Sequence, residues 1–246
     1  MKKEFSAETA GGKTRAELSE ENAQLRGDLL SIATRINHDL RAPLGAIVST
    51  AELLQEILLE KNPEATTLAT SLFEQVDEMT KLLGQVRVLT KATALPAPKE
   101  RLKMETIVLK ALQGMESRMI KMQATVVQPR SWPEAYGVAE WLEFIWSSLL
   151  ANSLDYAGKN AQVELGWQKK NNEFYFQVCN QGSALPVESV TALLKPFDLL
   201  HQPGGAKGLG LSVVQRLVQL QAGSCGYTTT PNDRSCFYFT LPMIEV

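Results

Sequence analysis

Long hydrophobic runs are missing from this chain: no stretch reaches the roughly 18 consecutive apolar residues that a membrane-spanning helix needs. The polar, glycine-containing start, residues 1–15, lacks the apolar core of a secretory signal. Cysteine is scarce. Cys179, Cys225 and Cys236 make an odd count with no metal-ligand spacing, which reads as reduced, unpaired thiols in a cytoplasmic setting. Charge of one sign is lacking too. Lys+Arg (25) nearly balance Asp+Glu (27), so the electrostatic footprint of a nucleic-acid or membrane-surface binder is not there. There is no internal repeat and no low-complexity tract. What remains is ordinary soluble composition, 44% hydrophobic and 21% charged, over 246 residues, a length comfortable for two domains.

Periodicity divides the chain. After a flexible lead-in, 1–16, a helix is expected to begin at Glu17 to Glu20 with Ser19 as its cap. Its apolar stripe runs Leu25, Leu29, Ile32, Ile36, Leu40, Leu44, Ile47, Ala51, Leu54 and Leu58. Steps of three and four sustained this long describe a helix much longer than the globular average. Asn62-Pro63 stops it, because proline disfavours helical geometry in the residue before it. A second helix follows from about Glu64 to Lys91, with Leu68, Leu72, Val76, Met79, Leu83, Val86 and Thr90 on one face. One antiparallel hairpin, residues 17–93, leaves two apolar stripes poorly covered; doubling it into a four-helix bundle covers them, so a homodimer is expected. Residues 94–102, with Pro96 and Pro98, read as a linker. From 103 to 246 the pattern mixes helices (Ile107–Met119, Ala139–Asp155, Val187–Leu194, Leu209–Gln221) with extended segments (Ala124–Gln128, Ala161–Trp167, Glu173–Asn180, Ser235–Leu241). That mixture predicts an α+β two-layer sandwich.

Four motifs carry chemistry. In Asn37-His38-Asp39-Leu40-Arg41-Ala42-Pro43-Leu44, Ile36 and Leu40 are expected in the bundle core. His38, two residues from each, turns roughly 200° away from both at about 100° per residue. An exposed imidazole followed by a carboxylate suits a nucleophile, since the acid can hold one ring nitrogen and activate the other. A bare His-Asp pair is more often a solvated surface pair, but Pro43 inside a long helix marks a place being shaped. The second motif is Asn152-Ser153-Leu154-Asp155-Tyr156 on an apolar helix, where an amide oxygen can complete an Mg²⁺ shell of phosphate oxygens and water. Alone, such an asparagine is ordinarily a helix-interior hydrogen bonder. The third, Cys179-Asn180-Gln181-Gly182, closes a strand and lets backbone approach a ligand, or forms an ordinary turn. The fourth, Gly204-Gly205-Ala206-Lys207-Gly208-Leu209-Gly210-Leu211, opens a helix and suits a phosphate cradle, with a flexible loop as the plain alternative.

His38-Asp39-Leu40-Arg41-Ala42-Pro43-Leu44 resembles the H box of the sensor histidine kinases, and the other motifs follow in that family's order, from about Asp28 to Pro242. The resemblance implies a dimeric four-helix phosphoacceptor bundle followed by an ATP-binding sandwich of the GHKL, or Bergerat, type. It makes His38 the phosphoacceptor with Asp39 as its partner. Asn152 is then the Mg²⁺ ligand, and Asp155, Tyr156, Asn180, Gly182, Phe197, Lys207, Gly208, Leu209, Gly210 and Leu211 line the ATP site, with His201 a surface residue of a short lid. ATP and Mg²⁺ are the implied cofactors. The partners are a second copy, a response-regulator receiver domain and possible input from a separate sensor domain. Four positions of the ATP-binding domain depart from the pattern: Ser148 stands where the family often has Asn, Asp155 where it often has a base, Asn180 replaces its Asp, and Ala184 its second glycine. Ala42 lacks the polar group the family often carries there, which implies weak phosphatase activity. These departures also suit a rival reading, a bundle that relays phosphoryl groups through His38 beside a lapsed ATP domain.

Overall fold

The computed structural model describes residues 15–58, 63–95, 97–181, 210–230 and 234–243. The chain divides into two compact units, with the boundary after residue 96.

The first unit is two long helices, α1 (Arg15–Leu58) and α2 (Pro63–Ala94). Ser19, expected as a cap, lies inside α1, because Leu18, Glu20 and Glu21 around it are good helix formers and give the helix no reason to start there. The helix passes through Pro43 without interruption. Pro63 opens α2, where its fixed φ suits the first turn and its missing N–H loses no helical bond. The seam between the helices is built from small or slender side chains: Ala33, Asn37, Leu44 and Ala51 against Ala69, Val76 and Thr90. Asn37 is satisfied there by donating its Nδ2 hydrogen to the Ala33 carbonyl at 3.1 Å.

The larger apolar row is turned away from that seam. Leu25, Leu29, Ile36, Leu40, Ile47 and Leu54 on α1, and Leu68, Leu72 and Met79 on α2, are exposed. Ile36 and Leu40, expected in the core of a doubled bundle, are exposed on the single hairpin. Two helices share a single seam, and the small residues that let them approach occupy it.

In the second unit, five strands form a sheet in the order β2-β4-β5-β7-β6: β2 (Thr125–Val127), β4 (Gln162–Lys170), β5 (Glu173–Gln181), β6 (Cys225–Thr229) and β7 (Arg234–Pro242). Only the β2–β4 pairing is parallel. A separate antiparallel pair, β1 (Glu100–Lys103) with β3 (Glu134–Gly137), lies outside the expected pattern, and β1 falls in the stretch read as linker. Its burial runs exposed, exposed, half-buried, exposed, so it carries no alternating signal. Among the described residues three helices complete the layer: α3 (Met104–Met122), α4 (Ala139–Ala157) and α5 (Gly210–Leu220). The region expected as a helix at Val187–Leu194 lies outside the described residues.

Alternation along β5 sends Phe174, Phe176 and Val178 inward, and Trp146 of α4 meets Phe176 and Phe239 edge-on at 6.0 and 5.3 Å. Trp146 also donates its indole N–H to Met104 Sδ at 3.2 Å, which ties α4 to α3. Buried Gln221, just past α5, accepts from the Val138 N–H at the start of α4 and donates to Leu217 O. That amide fixes the two helices together. At Gly223 a Cβ would stand 1.9 Å from the Thr240 carbonyl, so only glycine lets β6 start against β7.

The cysteines correct the reading of three unpaired thiols. Cys179 and Cys236 are directly opposed on β5 and β7 and form a disulfide; Cys225 alone is free. Their separation of 57 residues hides the pair from the sequence, whereas the antiparallel register brings their Cα atoms to 4.1 Å.

Candidate functional site

His38 lies near the middle of α1, about 100° around the helix from the seam residue Asn37, and its side chain is 86% exposed. Its Nδ1 is 3.1 Å from Oδ1 of Asp39, the geometry of an Nδ1–H donated to the carboxylate. That tautomer leaves Nε2 with its lone pair as the outward nitrogen. Ala42, one turn on, shares the face, and Pro43 removes one intrahelical hydrogen bond beside it.

In the second unit α4 positions three of the expected residues. Asn152, Asp155 and Tyr156 follow at i, i+3 and i+4, so they share one face over a single turn. Asp155 does not stand as a bare negative charge: Arg118 of α3 pairs with it, both side chains being 32% exposed. The charge of Asp155 is thereby neutralised locally. Burial first, and then the Asp155 carboxylate, push the Tyr156 phenol above its ordinary pKa, so it is an O–H donor at physiological pH. Its ring stacks on Phe237 of β7, centroids 6.2 Å apart.

The second unit also holds a set of unmatched polar atoms. Asn180 is 0% exposed, on the inward face of β5, and neither its Oδ1 nor its Nδ2 has a partner among the described residues. Asn152 Nδ2 and the Oγ of fully buried Ser153 are unmatched in the same way. Leaving such groups unsatisfied costs roughly 1–3 kcal/mol each, so folded proteins seldom do it without a ligand or function to match. α5 opens at Gly210 with Leu211 buried, and its first turn carries no acidic side chain. The first-turn N–H groups of such a helix attract anions. Gly182, Phe197, Lys207, Gly208 and Leu209, as well as Ala184 and His201, lie outside the described residues.

The donor set suits Mg²⁺ held chiefly by phosphate and water. Asn152 offers one neutral amide oxygen, and among the described residues no group of three or more His, Cys, Asp or Glu could hold a metal alone. Sequence reading missed Arg118, Ser153 and Gln221. Arg118 carries a usable signal, since it falls on the stripe of α3 that buries Met104, Val108 and Ala111, where a lone arginine needs a partner.

Comparison with known proteins now bears on this geometry. Residues 28–95 match the His Kinase A (phospho-acceptor) domain, and residues 137–245 match the histidine kinase-, DNA gyrase B-, and HSP90-like ATPase domain. Among curated relatives, the methanogenesis regulatory histidine kinase FilI of Methanothrix harundinacea is 26% identical over 84% of this chain and 24% of its own length. The sensor protein KdpD of Escherichia coli is 24% identical over 92% of this chain and 25% of its own length. The adaptive-response sensory kinase SasA of Prochlorococcus marinus is 26% identical over 96% of this chain and 66% of its own length. The chain thus spans a quarter to two thirds of these relatives. Among solved structures, full-length ShkA (TM-score 0.62, 20% identity) covers 86% of this chain and 45% of that chain. Histidine kinase AdeS of Acinetobacter baumannii (TM-score 0.59, 18% identity) covers 85% of this chain and 98% of that one. At these identities the likeness is one of fold. Carrying a phosphoacceptor hairpin followed by an α+β ATPase sandwich, the chain belongs to the sensor histidine kinase family.

Proposed function

We propose that the chain is the kinase core of a two-component system: it binds ATP in the second unit, phosphorylates His38 and hands the phosphoryl group to an aspartate of a receiver domain. The observation that carries this reading is His38 itself, exposed on a long helix with Nδ1 held by Asp39 and Nε2 turned outward. In the proposed step the Nε2 lone pair attacks the γ-phosphorus. The N–P bond forms as the P–O bond to the ADP oxygen breaks. The Nδ1 proton is shared with Asp39, which offsets the positive charge that develops on the ring. In the second unit Asn152 would hold Mg²⁺ through its amide oxygen, and the ion would supply the charge that neutralises the phosphates. The first turn of α5 and the phenol of Tyr156 donate toward the nucleotide, and Arg118 keeps Asp155 from opposing it. Full-length ShkA, similar in fold, was solved in complex with AMPPNP, which supports a nucleotide in this sandwich.

The exposed apolar rows on α1 and α2 are the faces of a homodimeric bundle, which also presents His38 to the receiver domain. Among the described residues no helix is long and apolar enough to cross a membrane. We place the core in the cytoplasm, on its reading as the kinase core of a two-component system. Incubation with γ-labelled ATP and Mg²⁺ should place acid-labile, alkali-stable label on the peptide containing His38, and an added receiver domain should drain it. Label on any other residue would sink the reading.

A further inference from the structure

Asn180 is the polar side chain least accounted for in the interior. The ladder sets it between Val163 of β4, which offers no hydrogen bond, and Ser235 of β7, whose Oγ is already engaged with the Tyr227 hydroxyl at 2.8 Å. It faces inward with Phe176 and Val178, is 0% exposed, and both ends of its amide are unmatched among the described residues. Ser153 Oγ and Asn152 Nδ2 of α4, the helix packed on β5, are unmatched as well. Packing alone would be served better by a hydrocarbon side chain, because an unmet amide in the interior is a penalty with no return. The position therefore fits a ligand that offers hydrogen-bonding groups of its own.

A carboxylate, which the family pattern places here, can only accept. It suits an exocyclic amino group and repels a carbonyl oxygen. A primary amide has one accepting and one donating end, and rotation by 180° about its last torsion exchanges them without moving the backbone. With Oδ1 toward the ligand it accepts from the 6-amino group of adenine. With Nδ2 toward the ligand it donates to the 6-carbonyl of hypoxanthine. The strand holds the Cα in both cases, since β5 is paired on both sides at this residue.

Resting on the reading of this unit as a nucleotide domain, we propose that Asn180 makes the site permissive at the purine 6-position, so that it takes 6-amino and 6-oxo purine triphosphates with comparable affinity.

The test is equilibrium binding of ATP and ITP, each with Mg²⁺, to the full chain and to its Asn180→Asp and Asn180→Ala variants. In the unmodified chain the two affinities should agree within about threefold, and Asn180→Asp should favour ATP over ITP by more than about tenfold, the penalty for facing a carbonyl with an acceptor. Asn180→Ala should weaken both nucleotides together while leaving their ratio near one. If the unmodified chain itself prefers ATP by more than about tenfold, the proposal is overturned while the nucleotide reading stands. If the folded chain binds neither nucleotide, the nucleotide reading fails and the proposal with it. The ratio in the unmodified chain decides the matter even where Asn180→Asp does not fold.

Discussion

The two units are unfinished in opposite ways. The hairpin satisfies its polar groups and leaves apolar side chains in water: Asn37 has its carbonyl partner, while Leu25, Ile36, Leu40, Leu68 and Met79 are exposed. The sandwich buries Trp146, Phe176, Phe237 and Phe239 in its core, and leaves polar atoms unmatched at Asn152, Ser153 and Asn180. An exposed apolar row calls for a protein surface, because hydrophobic burial is non-directional and needs area. Buried orphan amides call for a small ligand, because hydrogen bonds need matched geometry. The contrast supports the proposal that one unit serves assembly and the other nucleotide recognition.

Breaking the hairpin's side of the comparison should give the largest effect. Leu72→Asp places a charge in the middle of the exposed row on α2, and should weaken self-association by at least about 3 kcal/mol, more than a hundredfold. Sedimentation should then find monomer where the unmodified chain sediments as a dimer, with the sandwich still folded. On the other side, the disulfide closes a loop of 57 residues, so reducing it should lower the stability of the sandwich by about 2–4 kcal/mol. Calorimetry with and without reductant should show one transition moving and the other staying, and a Cys179→Ala, Cys236→Ala double variant should not respond.

Removing Arg118 should have a smaller effect. Its pair with Asp155 is one-third exposed, so Arg118→Ala should weaken ATP binding by about three- to tenfold, and adding Asp155→Asn should restore most of it. A double-mutant cycle on ATP affinity with no coupling would remove Arg118 from the site. A further effect is one of pH, confined to an alkaline window. Burial pushes the Cys225 thiol from 9.0 to about 12, so the unfolded chain loses that proton before the folded one does. The folded state then holds more protons between those values, and stability should fall as pH rises from 9.0 toward 12; it is fully present below 9.0. Cys225→Ala should flatten that slope in chemical unfolding measured across the range.

Sequence made the hairpin legible because a period of 3.6 held over many turns has no competing explanation. It could not say which apolar row packs within the chain. Periodicity gives the width of a face, whereas the choice between Ala33-Asn37-Leu44 and Ile36-Leu40-Ile47 is made by how closely two backbones can approach. In the sandwich, β4 and β5 were legible from alternation. β1 and β3 are four residues each, too short for a period to show. The disulfide and the Arg118–Asp155 pair are long-range facts that only the register of strands and the packing of helices create. For the site, residue types and order named His38, Asn152 and Asn180 as places to look. That Asn180 would be buried with both amide ends unmatched is a property of the fold, invisible in the string Cys-Asn-Gln-Gly.

The division of labour between the units is tested most directly by offering phosphoryl groups from two sides to His38→Gln and Asn152→Ala. Label is supplied either as γ-labelled ATP with Mg²⁺ or as a phosphorylated receiver domain. The account predicts that His38→Gln takes label from neither source, whereas Asn152→Ala loses labelling from ATP and keeps it from the receiver. Full ATP-dependent labelling in Asn152→Ala, or acceptance from the receiver in His38→Gln, would contradict it.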